Sequence, residues 1–123
     1  MPIELMIDGS TGVARFTVSG EFTLDDMRAA VDRLAADPDY RPGMAILSDH
    51  RAIARPASAE EVAGLVGHVA EHGGIFAGAR MAIVTDSAAS YGMMRMLSAL
   101  AEDVPMKIAV FLDAAEAERW LRP

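Results

Sequence analysis

Two short apolar runs constrain the fold of this chain more than any other feature of its sequence. Residues 44–47 (MAIL) and 81–84 (MAIV) contain no polar side chain, which is typical of strands covered on both faces. A polar cluster follows each run, and a helix start follows each cluster. Strands that alternate with helices in this way predict parallel pairing and right-handed crossovers, which tend to place the helices on one face of the sheet.

The segments around these runs complete an α/β order. Residues 3–7 and 14–18 alternate apolar and polar side chains on either side of a GSTG turn, and this pattern predicts an antiparallel hairpin. Capping patterns predict helix starts at Thr23, Ser58 and Asp113. We expect a single α/β domain over residues 1–123, with a five-stranded mixed sheet (the hairpin, then mostly parallel strands) and four helices. We also expect Gly64 and Gly67 in the second helix to permit close contact with another backbone.

Composition excludes several classes of function. The net charge of −7 argues against nucleic-acid binding, which depends on lysine and arginine to neutralise phosphates. The absence of cysteine excludes disulfides, thiolate nucleophiles and cysteine metal sites. No apolar run approaches the roughly 20 residues that span a bilayer, and the N-terminus lacks the basic and hydrophobic regions of a secretory signal. We therefore expect a cytoplasmic protein without a membrane span.

Four local strings, in order along most of the chain, carry a family resemblance. They are VSGEFTLDD at residues 18–26, LSDHR at 47–51, YGMMRM at 91–96 and EAERWL at 116–121. With these strings the chain resembles the STAS-like domains, a family that includes the anti-sigma-factor antagonists. It looks closest to the bacterial branch grouped with lipid-binding CRAL-TRIO-like domains.

This resemblance implies a mainly non-enzymatic role and a serine switch. Anti-sigma-factor antagonists are phosphorylated on the serine of an Asp-Ser pair, beside the start of the helix that follows the third strand. Here Asp49 is followed by His50, and Ser58 is preceded by Ala57. Ser58 is therefore the candidate phosphorylation site, although its role as a helix cap already explains the residue.

Polar residues after the two apolar runs are the candidate ligand-binding residues, because ligands of open α/β sheets bind at the carboxyl ends of the strands. One interpretation is an anion site formed by Asp49, His50, Arg51 and Arg55, in which His50 titrates near neutral pH. The alternative is that Asp49 anchors the loop, the arginines are solvated and Ser87 is a plain helix cap. Tyr91 and Met96 fall off the apolar stripe of the third helix and suggest an adaptable contact surface. The candidate residues are Asp49, His50, Arg51, Arg55, Asp86, Ser87 and Tyr91.

His68 and His72 belong to an H-x-x-E-H string, which matches the inverted zincin motif. Histidines four residues apart share one helix face, and Glu71 would serve as the base. A catalytic zinc site needs a third protein ligand, and the later helices offer no evident glutamate. We therefore expect no metal site and no cofactor, with His68 and His72 as the only metal candidates, and with adventitious metal binding more frequent than catalysis.

Three functions follow from these patterns. The leading one is a non-catalytic regulatory or protein-interaction module, as the resemblance implies. The second is a carrier of a small apolar or lipid-like ligand held between sheet and helices. The third is a metal-dependent hydrolase that uses His68 and His72 or the polar strand ends. The expected partners are thus a protein or a small apolar ligand, and strands apolar on both faces favour a homodimer.

Overall fold

A computed structural model describes residues 2–102 and 104–122, which form a five-stranded sheet flanked by four α-helices. The predicted fold class is confirmed. The strands are β1 (Ile3–Asp8), β2 (Val13–Gly20), β3 (Ala45–Ile53), β4 (Arg80–Val84) and β5 (Lys107–Phe111). The helices are α1 (Leu24–Ala36), α2 (Ala59–Glu71), α3 (Ala88–Leu100) and α4 (Ala114–Leu121), and a 3-10 helix (Gly73–Phe76) follows α2.

The sheet has the simple order β1-β2-β3-β4-β5. Strands β1 and β2 pair antiparallel, as the alternating pattern predicts, and every later pair is parallel. The pairing of β3 with β2 continues past the apolar run, so the polar residues predicted to follow the strand lie within it. Thr17 pairs with Asp49 and Ser19 with Ala52, so β3 carries one extra residue in a bulge between those two pairs.

Three of the helices cover one face of the sheet, and α4 covers the other. Helices α1, α2 and α3 share the larger core with the sheet, whereas Ala117 and Leu121 of α4 pack on Ala82 and Val84. The expectation that the helices share one face is therefore wrong for α4. The crossover rule applies only to a helix that joins two parallel strands, and no described strand follows α4.

The helix caps at Thr23 and Ser58 follow the predicted pattern. Thr23 and Ser58 form complete capping boxes with the third residue of their helices. Helix α3 ends at Leu100, whose side chain is exposed, whereas Leu97 and Ala101 beside it are buried.

The two glycines of α2 differ in their surroundings. A Cβ atom at Gly64 would lie 2.7 Å from Leu24 Cδ2, so the close neighbour is a side chain of α1 and not the backbone that we expected. Gly67 has open space around it. Within the parts of the chain that the structure describes, no helix has the length and apolar character needed to cross a membrane.

Candidate functional site

Strand β3 directs two polar side chains into an apolar cavity. The cavity has a volume of about 70 Å³ and lies between the sheet and helices α1, α2 and α3. Among the residues that the structure describes, Ser48 and His50 are the polar ones that line the cavity, and Phe16, Met27 and Met94 are among the apolar ones. A mostly apolar cavity with a few convergent polar groups is the usual form of a small-molecule site.

His50 is neutral in this environment. A hydrogen bond of 2.8 Å joins its Nε2 to the hydroxyl of Ser48. Burial lowers the pKa of His50 from 6.5 to about 4, and the charge of Asp49 only partly opposes this effect. The ring therefore carries no charge at pH 7, in contrast to the titration near neutral pH that we predicted from the sequence.

Asp49 and Arg51 point away from the cavity and pair with each other. Arg51 donates to both carboxylate oxygens of Asp49, at 3.0 Å from Nε and 2.8 Å from Nη2. The guanidinium lowers the pKa of Asp49, and the charge of Asp86 contributes to a raised pKa of Arg51. The ends of β3 and β4 therefore adjoin, as parallel pairing predicts, and place charges of both signs at one edge of the sheet.

Arg55 fastens the loop that leads into α2. Its guanidinium donates to the two carboxylate oxygens of Glu61 at 2.7 and 2.9 Å, and to the backbone carbonyl of Phe22 at 2.6 Å. The pair with Arg55 lowers the pKa of Glu61 to about 2. Because Glu61 also accepts a hydrogen bond from the backbone N–H of Ser58, one carboxylate holds both the cap and the loop.

The four residues of the predicted anion site are thus divided among three places. His50 lines the cavity, Asp49 and Arg51 form an exposed pair, and Arg55 is engaged by Glu61. At the neighbouring strand end, Ser87 caps α3 by accepting a hydrogen bond from the N–H of Ser90 at 3.1 Å. Asp86 is exposed, and Tyr91 is half-buried with Arg95 over its ring.

The histidines of α2 meet a carboxylate that the sequence analysis did not include. His68 Nε2 and His72 Nε2 donate to the same oxygen of Asp32 in α1, at 2.7 and 2.9 Å. These two hydrogen bonds lower the pKa of Asp32. Glu71 Oε2 lies 3.6 Å from the other ring nitrogen of His68. A side chain that could serve as the third ligand of the motif therefore lies on an earlier helix rather than a later one.

Ser48 and Asp32 are the two functional candidates that sequence reasoning missed. Ser48 precedes His50 by two residues in the same strand, so strand alternation alone places both on one face. Asp32 is 36 residues from His68, and only the packing of α1 against α2 brings them together. A search of the strand for pairs of polar residues at positions i and i+2 would have found Ser48. No local signal in the sequence identifies Asp32.

Comparison with protein families gives one match. A family model described as SpoIIAA-like matches residues 13–122. No curated protein matches the sequence. The match covers most of the chain, while the assignment of the full range, residues 1–123, to one domain stays a prediction.

Proposed function

The chain belongs to the SpoIIAA-like family, and from this premise we propose that it is a non-catalytic regulatory module that binds a protein partner. The proposed binding area is the strand-end surface, which we define as Asp49, Arg51, Ser58 and Asp86. A cytoplasmic location is part of the same proposal. Family membership supports the general role, and the arrangement of the described side chains supports the location of the surface.

The observation that carries this proposal is the pairing of charges at the strand ends. The Arg51 side chain is 52% exposed and pairs with Asp49, and the hydrogen bonds to Asp49, with a smaller contribution from the charge of Asp86, raise its pKa. Mixed, exposed charges of this kind suit the polar rim of a protein interface, where they steer association and fix orientation. They do not suit a pocket for a free anion, because carboxylates outnumber the guanidinium.

Ser58 gives this surface a point at which it can be modified. The residue is exposed, and its hydroxyl accepts a hydrogen bond from the N–H of Glu61 at 3.1 Å. A phosphate on Ser58 would lie at the N-terminus of α2, where the helix dipole favours negative charge. It would also compete with Glu61 for Arg55, which now holds the loop. Modification would therefore alter the loop as well as the charge of the surface.

Site-specific photo-crosslinking tests the proposed surface without removing any charge from it. A photoreactive amino acid replaces Ala52 in β3 or Ala59 at the start of α2, and the matched control replaces Ala115 in α4. All three alanines are exposed. We expect one dominant protein adduct in host cells from positions 52 and 59, and none from position 115.

The mass of the adduct distinguishes the outcomes. An adduct with a different protein supports the regulatory module, and an adduct of twice the chain mass supports the homodimer predicted from the apolar strands. Equal crosslinking from all three positions, or none from any, contradicts the proposed surface. The intact mass of the protein isolated from its host reports phosphorylation, and the Ser58→Ala variant assigns it to this serine.

A second candidate function, the carriage of a small apolar ligand, is favoured by the cavity under the helices. The hydrogen-bonded Ser48 and His50 offer one polar anchor in apolar surroundings. A second cavity of about 60 Å³ adjoins the first and shares Phe16 and Leu65 with it. An apolar cavity of about 150 Å³ is known to hold one benzene molecule, and both cavities here are smaller than that, so a lipid chain requires the helices to move apart from the sheet.

Native mass spectrometry of the untagged protein from its host tests the carrier. A retained organic adduct that is lost in the Ser48→Ala variant supports carriage with Ser48 as the anchor. The Ser10→Ala variant, which changes an exposed turn serine, serves as the control and should keep the adduct. A protein of unmodified mass from every preparation contradicts the carrier and leaves the interaction module.

A further inference from the structure

The imidazoles of His68 and His72 and the carboxylate of Asp32 converge outside both the strand-end surface and the cavity. Their three donor atoms all lie within 4.8 Å of one another. The two histidines are one helical turn apart on α2, and Asp32 approaches them from α1. We propose that Asp32, His68 and His72 bind one divalent transition-metal ion, with zinc as the preferred ion, and that this ion links helices α1 and α2.

The distances require only a small adjustment to admit the ion. The Asp32 oxygen lies 2.7 Å from His68 Nε2 and 2.9 Å from His72 Nε2. Ligand atoms of a tetrahedral zinc site lie roughly 3.3 Å apart when the metal–ligand bonds are about 2.0–2.1 Å long. A lengthening of about half an ångström therefore brings both oxygen–nitrogen distances to the tetrahedral value. Three protein ligands leave the fourth position for water or a partner's side chain.

The surroundings hold the two rings in place for this role. His68 and His72 pack edge to face at 5.3 Å, and His72 packs edge to face against Phe76 at 5.9 Å. When an ion binds Nε2, the remaining ring hydrogen resides on Nδ1, and Glu71 Oε2 lies 3.6 Å from that nitrogen of His68. A carboxylate next to the second ring nitrogen is the usual outer partner of a metal-bound histidine.

The donor set determines which ions fit. Two imidazole nitrogens and one carboxylate oxygen suit zinc and its first-row neighbours, whereas magnesium and calcium prefer oxygen ligands alone. The side chain of Asp32 is 54% exposed, while those of His68 and His72 are only 18% and 25% exposed. An ion can therefore enter from solvent past the carboxylate and then reach the two rings.

Metal titration of untagged, chelator-treated protein tests the site. We expect one equivalent of Zn²⁺ by isothermal titration calorimetry, no comparable binding of Mg²⁺, and a higher melting temperature with Zn²⁺. Each of Asp32→Asn, His68→Ala and His72→Ala should weaken Zn²⁺ binding by more than about tenfold, because even outer partners of metal ligands contribute about 10–100-fold. The matched control is Asp25→Asn, which removes an exposed carboxylate from the same helix and should bind Zn²⁺ as the wild type does.

Nuclear magnetic resonance of the wild type gives a result that no misfolded variant can obscure. Zn²⁺ should shift the imidazole resonances of His68 and His72 and leave those of the cavity residue His50 unchanged. Zn²⁺ binding that is unaffected by Asp32→Asn would overturn the three-ligand site. Resonances of His68 and His72 that do not respond to one equivalent of Zn²⁺ would overturn it as well.

Discussion

The partly buried His50 makes the stability of the protein depend on pH between 7 and 5. The unfolded chain binds a proton on this residue near pH 6.5, whereas burial lowers the pKa in the folded state to about 4. As the pH falls through 6.5, His50 becomes protonated in the unfolded state but stays neutral in the folded state. His50 therefore has little effect on the free energy of unfolding above pH 6.5 and lowers it progressively as the pH falls toward about 4.

The size of this penalty follows from the two pKa values. At about 1.36 kcal/mol per pH unit, the penalty is roughly 2 kcal/mol at pH 5 and approaches a limit of roughly 3 kcal/mol below pH 4. Small domains are stable by only about 5–15 kcal/mol, so a loss of this size is readily measured. Urea denaturation at pH 7, 6 and 5 gives the free energy of unfolding at each pH.

The His50→Gln variant isolates this histidine from the other titrating groups. A glutamine amide nitrogen can replace Nε2 as the partner of Ser48, but it does not titrate. His68 and His72 are present in both proteins, so their contribution cancels. We expect the wild type to lose about 2 kcal/mol more than the variant between pH 7 and 5. Equal losses in the two proteins, or an NMR titration of His50 with a pKa near 6.5, would refute the reasoning.

Two further predictions concern helix α2. The Glu61→Gln variant should lose up to about 1 kcal/mol of stability at pH 7, because it loses the ion pair with Arg55, whose contribution is reduced by solvent screening of the partly exposed guanidinium. The wild type should also lose more stability than the variant as the pH falls from 4.5 toward about 2, because only the wild type must protonate Glu61, and identical acid unfolding curves would count against this role. Gly67→Ala should raise the free energy of unfolding by about 1 kcal/mol. Gly64→Ala should gain less because Leu24 must move, and an equal rise in melting temperature for both variants would contradict this.

Local signals in the sequence predicted the parts of the fold that depend on neighbours along the chain. The capping boxes at Thr23 and Ser58 each involve residues three apart, and the hairpin alternates with a period of two. The side of the sheet on which α4 packs depends instead on which apolar surface the other helices leave uncovered. Neither the hydrophobic periodicity nor the capping pattern of a segment predicts on which face of the sheet its helix packs.

The candidate site was predicted less completely because its contacts are distant in sequence or hidden by a bulge. Polar residues 49–51 were taken as the end of β3, although backbone pairing with β2 carries the strand on to Ile53. The pairing of Arg55 with the carbonyl of Phe22 spans 33 residues. Such contacts depend on the packed arrangement of whole elements, and composition cannot identify them in advance.

The position of α4 gives the molecule two separate cores on a single sheet. The smaller core, around Leu47, Val84 and Leu121, has no side chain in common with the larger one. Helix α4 is also held to the sheet by the ion pair between Arg15 and Glu118 at 2.6 Å and by the guanidinium of Arg80, which lies over the Trp120 ring. Local opening of this eight-residue helix would expose the back of β3 and β4 while the cavity on the other side stayed closed. Amide hydrogen exchange should then be faster in α4 than in helices α1 to α3, so that each face of the sheet has a free energy of opening of its own.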